Sequence, residues 1–386
     1  KLLESYGYDA LDTDVGTYDA WWWNHPPMYQ KKGLYREYCK MVKEVVNIPV
    51  FCAGRMDNPD MALEAIENGE CDVIDLGRPL LADPDYCNKL RCGNVTQIRP
   101  CISCQEGCMG RVASYSLLNC AVNPQAARER VNAYEPILKK KKVLIVGGGV
   151  AGCEAARVLA IRGHEPVVYE KGNRLGGNLI PGGAPDFKED DIALADWYTN
   201  ELDRLGVSVH LNTQLNEDEI KAMDFDTLIL ATGSKPKVFS LGDDKHTYTA
   251  EQVLLKQKDA GKNTVVVGGG LVGCETALWL AQNGIHVTIV EALDKVMAVN
   301  GPLCAANKEM LEALLPFNGV DIVTGAKVTS FDNGKVELDT KEGAKSIECD
   351  SVILSVGYKE ENTLYNKLQF EVPDIYLLGD AKKVSN

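Results

Sequence analysis

The chain has 386 residues, 45% of them hydrophobic and 25% charged, the balance of a globular protein of two to four folding units. A formal net charge of −14 argues against nucleic acid as a partner, because phosphate backbones are held by basic surfaces. No apolar run reaches the ~18 residues that cross a bilayer, and neither end carries a targeting signal, so a cytoplasmic protein with no membrane partner is expected.

From its N-terminus the chain reads as alternating helix and strand. Residues 1–8 predict an amphipathic helix, 9–15 (DALDTDV) a strand, 35–46 an amphipathic helix, 49–53 (PVFCA) a strand, 59–68 a helix and 73–76 a strand. Alternation with short turns predicts parallel strands in βα repeats. The last two strands both run into glycine followed by arginine, Gly54-Arg55 and Gly77-Arg78. Residues 99–125 lose this periodicity. Residues 139–142, just after Pro136, form a basic polar hinge that predicts a linker, and a new α/β pattern starts at Val143.

Thirteen cysteines need a reason. An odd number scattered among acidic helices and strands is a poor disulfide framework. Cys39, Cys52, Cys71, Cys87, Cys92, Cys153, Cys274, Cys304 and Cys349 stand singly and are expected as small buried hydrophobes. Cys101, Cys104, Cys108 and Cys120 fall in one group, spaced C-x2-C-x3-C-x11-C. The first three share a short loop, and Gly107 and Gly110 help the chain turn so that the fourth can join them. Four thiolates from one segment suit zinc or an iron–sulfur cluster.

Residues 143–154 (VLIVGGGVAGCE) and 265–275 (VVVGGGLVGCE) are a near-repeat. Each is a strand, a glycine turn and a helix start, followed by a second strand that ends in glutamate. Two copies of one nucleotide-binding unit are expected. In Gly147, Gly149 and Gly152, the first glycine permits the tight turn, the second lets a pyrophosphate approach, and the third lets helix pack on strand. The helix N-terminus offers amide donors to the phosphates. Glu170 is placed to accept hydrogen bonds from a ribose. Gly268, Gly270, Gly273 and Glu291 repeat the pattern, and a carboxylate at Glu291 favours NADH by repelling the 2′-phosphate of NADPH.

Three further motifs assign the nucleotides. Arg174-Leu175-Gly176-Gly177-Asn178 follows the first unit, Ala231-Thr232-Gly233 ends a strand, and Gly379-Asp380-Ala381 comes near the end. This set resembles the flavoproteins with two dinucleotide-binding domains, the disulfide-reductase-like superfamily. The resemblance implies FAD in the first unit, with Gly176 and Gly177 near its pyrophosphate and Asp380 on its ribitol. It implies NADH in a second unit inserted into the first. The sole CxxC, Cys101/Cys104, lies outside both units, which argues against a thioredoxin-reductase activity. A zinc site more often has two CxxC knuckles, and a relay between flavin regions has a use, so a [4Fe–4S] cluster is the expected occupant of the four cysteines.

The order of the parts (βα strands ending in Gly-Arg, the four-cysteine loop, then FAD and NAD modules) resembles the 2-enoate reductase, 2,4-dienoyl-CoA reductase and trimethylamine dehydrogenase family. That family begins with an FMN-binding (β/α)8 barrel of old yellow enzyme type. The implied fold class is α/β: a partial TIM barrel of the last three βα units, an iron–sulfur loop and two Rossmann-like domains. The implied domains are a barrel part, 1–98; a cluster loop and linker, 99–138; an FAD domain, 139–255 with 350–386; and an NAD(H) domain, 256–349. Ala53, Gly54, Arg55, Gly77 and Arg78 would sit at strand ends around the FMN phosphate, where TIM barrels place such sites.

Residues 16–29 (GTYDAWWWNHPPMY) could grip a flat substrate, with Tyr18 and His25 as candidates to polarise a carbonyl or relay a proton. The first five barrel strands, and the tyrosine donor the family uses, are missing, so the chain reads as a fragment. The implied activity carries electrons from NADH through FAD, the cluster and FMN to the C=C bond of an unsaturated carbonyl or carboxylate. The stretch from Trp21 to Pro27 is more similar to 2-enoate and bile-acid oxosteroid reductases than to dienoyl-CoA reductases. Free acid, CoA thioester and steroid all stay open as substrates, and so does a homo-oligomer. The rivals are an amine dehydrogenase feeding an electron-transfer flavoprotein and a non-catalytic electron-transfer subunit.

Overall fold

Short apolar runs between polar helices become parallel strands here, because crossover helices cover their faces. In this computed structural model, which describes residues 1–298 and 303–385, they assemble into two units. One comprises Lys1–Ala133 with Pro302–Met310, the other Tyr134–Gly301 with Leu311–Asn386.

In the first unit, strands Leu11–Thr13, Val50–Cys52 and Val73–Ile74 lie side by side in chain order, all parallel. Helices Arg36–Lys43 and Pro59–Glu67 connect them and bury Leu34, Tyr35, Cys39, Met56 and Ala65 against Val50 and Cys52. Pro59 opens the second helix, and the Asn58 side chain accepts the amides of Asp60 and Met61. Three βα units leave an open sheet, as a partial barrel must.

The elements are shorter than the sequence pattern predicts. The expected helix 1–8 contracts to Leu2–Ser5, which buries no residue and has no side-chain cap, and an uncapped helix without a packed face does not propagate. Two of the nine single cysteines also differ from expectation. Cys87 and Cys92 are exposed, because the surface helix Tyr86–Arg91 turns Tyr86 inward instead.

The second unit holds two five-stranded sheets built alike. In the first, the order is Ile375–Leu377, Thr227–Leu230, Lys142–Val146, Glu165–Tyr169, Ser208–His210, every pair parallel. The chain runs from the central strand Lys142–Val146 outward to one side, then returns to fill the other. That reversal is a topological switch point, where a crevice opens at the strand ends. Lys142 already belongs to this strand, so the expected linker 139–142 ends one residue earlier.

In the second sheet the order is Asp321–Val323, His286–Val290, Asn263–Val267, Ser351–Leu354, Thr247–Thr249, again all parallel with the glycine-turn strand central. It draws on residues 247–354, reaching past the expected span of 256–349 on both sides. An antiparallel sheet of Ala326–Asp332, Lys335–Thr340 and Gly343–Glu348 packs Val328, Phe331, Val336 and Leu338 into the same core. Where the chain leaves the first fold and returns, Ser234–Pro236 pairs antiparallel with Tyr358–Glu360. The second fold is therefore an insertion in the first. A largely buried cluster ties the two: Lys188 Nζ lies 3.4 Å from Asp191 and 3.2 Å from Glu275.

Candidate functional site

The glycine turn after Lys142–Val146 is shaped by contact. A Cβ on Gly152 would stand 1.9 Å from the Gly147 carbonyl oxygen, so helix Val150–Arg162 packs on the turn only as glycine. Beside Gly149 the nearest atom to such a Cβ is Gly177 Cα at 3.8 Å, which leaves that face open. The turn is held by its own carboxylate. Glu170 accepts from the Gly148 and Gly172 amides at 2.6 Å each.

Around this turn lies a cleft of about 1380 Å³. Gly147, Gly149, Glu170, Gly177, Asn178, Ala231, Thr232, Gly233, Gly379 and Asp380 all line it, while Gly152 and Gly176 lie behind its wall. Asp380 accepts from the Ser234 hydroxyl at 3.0 Å. Arg174, which opens the Arg-Leu-Gly-Gly-Asn motif, joins the lining, as do Ser234, Lys235 and Glu361, which no motif position signals.

The second turn repeats the design. A Cβ on Gly273 would stand 2.0 Å from Gly268 O, and Glu291, buried, accepts from the Gly269 amide at 2.6 Å and the Leu293 amide at 2.8 Å. Gly270 caps the helix Leu271–Gln282 that follows. Each carboxylate oxygen keeps acceptor capacity beyond its one amide, so the group can hold the turn and a ribose together.

In the first unit Cys101, Cys104, Cys108 and Cys120 line one small cavity with Arg78, Leu81, Ile102, Gln105 and Val122. Ser103 and Gln105 adopt φ of 51° and 61°, and amides of this kinked loop reach the sulfurs: Ser103 N–H to Cys101, Glu106 N–H to Cys104. Burial pushes the thiols of Cys101 to about 11 and Cys104 to about 12, and raises Cys108. Among the described residues, no three His, Cys, Asp or Glu side chains converge as ligands of a single ion.

The loop is anchored by groups that no motif marks. Buried Asp83 accepts from the Arg99 amide at 2.8 Å and Lys89 Nζ at 2.6 Å, and Arg99 Nη1 donates to Val122 O at 2.8 Å. The Asn119 amide donates to Gly107 O at 2.7 Å. Cys304, from a distant stretch of chain, donates its amide to Glu106 at 3.1 Å.

At the strand ends of this unit, Arg55 is buried and its guanidinium donates to the carbonyls of Met28 and Gln30. Its side chain therefore fastens the 26–30 loop. Gly77 caps the helix that Arg78 opens, and Arg78 Nη2 donates to Pro26 O at 2.8 Å. His25 stacks on Trp21 with ring centroids 5.2 Å apart; burial, then Arg78, lowers its pKa and favours the neutral ring. The Gln105 side chain donates to His25 O at 2.6 Å, joining the cysteine loop to this residue. Tyr18 is 86% exposed, edge-on to Trp21, and does not meet His25.

Two parallel folds, one inserted in the other, each with a glycine turn and a carboxylate at its switch point, are the arrangement of a pair of dinucleotide-binding units. Residues 141–384 match the family described as pyridine nucleotide-disulphide oxidoreductase, and residues 8–97 match the NADH:flavin oxidoreductase / NADH oxidase family. The chain is 48% identical across its whole length to cinnamate reductase of Clostridium sporogenes, of which it covers 58%. It is 36% identical over 99% of its length to bilirubin reductase of Mediterraneibacter gnavus, covering 60% of it. Among solved structures, 2-naphthoyl-CoA reductase superposes with a TM-score of 0.92 at 28% identity, over 98% of this chain and 58% of that one. The chain belongs to the pyridine nucleotide-disulphide oxidoreductase family, and its residues 8–97 are similar to the NADH:flavin oxidoreductase / NADH oxidase family. It spans less than two thirds of the length of these relatives. No helix among the described residues is long and apolar enough to cross a membrane.

Proposed function

We propose that this chain is the electron-input portion of an NADH-dependent ene-reductase that holds FAD, a [4Fe–4S] cluster and FMN. Bound flavins supply hydride chemistry and the cluster supplies one-electron transfer. In the net reaction a hydride from NADH and a proton add across the C=C bond of a small α,β-unsaturated carbonyl or carboxylate in the cytoplasm. Cinnamate, bilirubin and 2-naphthoyl-CoA in the relatives' names support a conjugated substrate.

The observation that carries this reading is the cysteine loop. Ligands of one zinc, each about 2.3 Å from the metal, stand about 3.8 Å apart in a tetrahedron. A four-iron cube takes one thiolate per iron, and its ligands stand farther apart. Four cysteines lining one cavity supply one thiolate for each iron of the cube. The amides on Cys101 and Cys104 favour their thiolate forms.

The chain's own residues have separable tasks. Gly149 and Gly177 let the FAD pyrophosphate approach, Glu170 holds its ribose, and Asp380 its ribitol. Gly268, Gly270, Gly273 and Glu291 hold NADH. Ala53, Gly54, Gly77 and Arg78 hold the FMN phosphate, and neutral His25, oriented by Trp21, is the proton-relay candidate ahead of Tyr18. The intact second turn and Glu291 favour a reductase over an amine dehydrogenase, which has no need of NADH.

Anaerobic stopped-flow mixing of the purified holoprotein with NADH tests the direction of flow. Bleaching of FAD, followed by reduction of cinnamate-type acids, is expected; flavin that stays oxidised overturns the assignment. Iron analysis tests the cluster separately, with four irons per chain expected and zinc the contrary result.

A further inference from the structure

Among the described residues, Arg78 is the one cation that belongs to both the Gly-Arg turn and the cysteine cavity. Its anchor is a carbonyl, Pro26 O at 2.8 Å, and a carbonyl does not neutralise its charge. Nη1 is buried without a hydrogen-bond partner, although Arg78 lines the cavity with Cys101, Cys104, Cys108 and Cys120. A buried guanidinium nitrogen without an acceptor is costly unless something electron-rich faces it, and the four sulfurs share its cavity whatever else the turn holds.

We propose that Arg78 is a positioning residue for electron flow, a fixed positive charge on the cavity wall that raises the reduction potential of the cluster held by the four cysteines. The inference rests on the proposed cluster. Reduction by one electron adds one negative charge among four thiolates, and a nearby cation favours that state over the oxidised one. Net charge and hydrogen bonds to sulfur are the terms by which a protein sets such potentials. Placing the charge at the turn expected to bind FMN phosphate makes electron acceptance by the cluster sensitive to the same side chain. A residue that merely fastened Pro26 would leave the potential alone.

The test compares wild type, Arg78→Gln and Arg78→Lys as full native holoproteins, titrated anaerobically with dithionite and mediators while the reduced cluster is followed by electron paramagnetic resonance. With iron content equal to wild type, R78Q is expected to show a reduced-to-oxidised ratio at least tenfold lower at the wild-type midpoint, which is about 59 mV for one electron. R78K keeps the charge and is expected to stay within threefold. An iron-replete R78Q with an unchanged midpoint overturns the proposal. So does an R78Q that cannot be reconstituted with iron, because Arg78 would then hold the cluster rather than set its potential. Wild-type protein without iron is a different result, and it removes the cluster reading itself.

Discussion

Replacing Gly152 with alanine separates the packing role of one glycine from the ligand role of its neighbour. The added Cβ starts 1.9 Å from Gly147 O, and real Cβ atoms do not approach within 3.0 Å, so helix and turn must part by 3.0 − 1.9 = 1.1 Å. The turn cannot retreat, since Gly147 itself backs onto Ala231 O, 2.2 Å from where its own Cβ would be. Overpacking of this kind costs ~1–3 kcal/mol, which lowers the melting temperature of a unit this size by ~2–12 °C. A turn displaced by about an ångström also misaims its amides, and losing one or two such bonds weakens FAD binding ~10–100-fold.

Gly149→Ala is the counterpart. Its backbone, φ −74° and ψ −176°, suits any residue, and its Cβ would meet nothing closer than 3.8 Å. The flavin-free G149A protein is expected to melt within ~1 °C of wild type, yet to bind FAD at least ~10-fold more weakly because a methyl now occupies the pyrophosphate's approach. Differential scanning fluorimetry on flavin-stripped protein and a fluorescence titration with FAD read the two effects apart. Wild-type FAD affinity in G149A refutes the proposed pyrophosphate path, and a wild-type melting temperature in G152A refutes the packing argument.

Asp83→Ala removes the acceptor of the Arg99 amide and of Lys89, at a cost of ~2–3 kcal/mol; iron content per chain should fall by at least half while FAD content holds. Glu291→Ala should raise the KM for NADH ~10-fold and narrow the preference over NADPH, seen in paired steady-state assays, since the variant loses both the ribose acceptor and the repulsion. Glu361 is held down to about 2 by Lys235 and Thr363, against an ordinary 4.5. A depressed carboxylate stabilises above its unfolded pKa and loses that contribution as pH falls from 4.5 towards 2. Because Lys235 is largely exposed, the effect is discounted to about 1 kcal/mol. Wild type should therefore exceed Glu361→Gln in urea midpoint at pH 6, and the gap should shrink at pH 3.5.

Much of the fold was legible because it repeats. Two strands with glycine turns and terminal glutamates, some 120 residues apart, announce two nucleotide folds by pattern alone, and both glutamates do hold their turns. The short elements were less legible. Strand 9–15 survives only as Leu11–Thr13, because Gly16 follows at φ +117° and the chain turns away. Periodicity cannot register a helix's lack of something to pack against, so helix 1–8 was overdrawn and Cys87 and Cys92 were assigned to a core that their surface helix does not face.

Consecutive residues already name the chemistry-bearing groups: four closely spaced cysteines, two glycine turns with their acids, and a Gly-Asp near the end. Those are local patterns, written in consecutive residues, and local sterics and hydrogen bonding enforce them. Only the tertiary structure decided which distant groups serve them. Asp83 and Cys304 meet the cysteine loop, Arg55 turns to the carbonyls of the 26–30 loop, and Arg78 faces the cysteines. No spacing encodes such meetings, because they depend on how separate elements pack, and a buried aspartate or arginine looks in sequence like any exposed one.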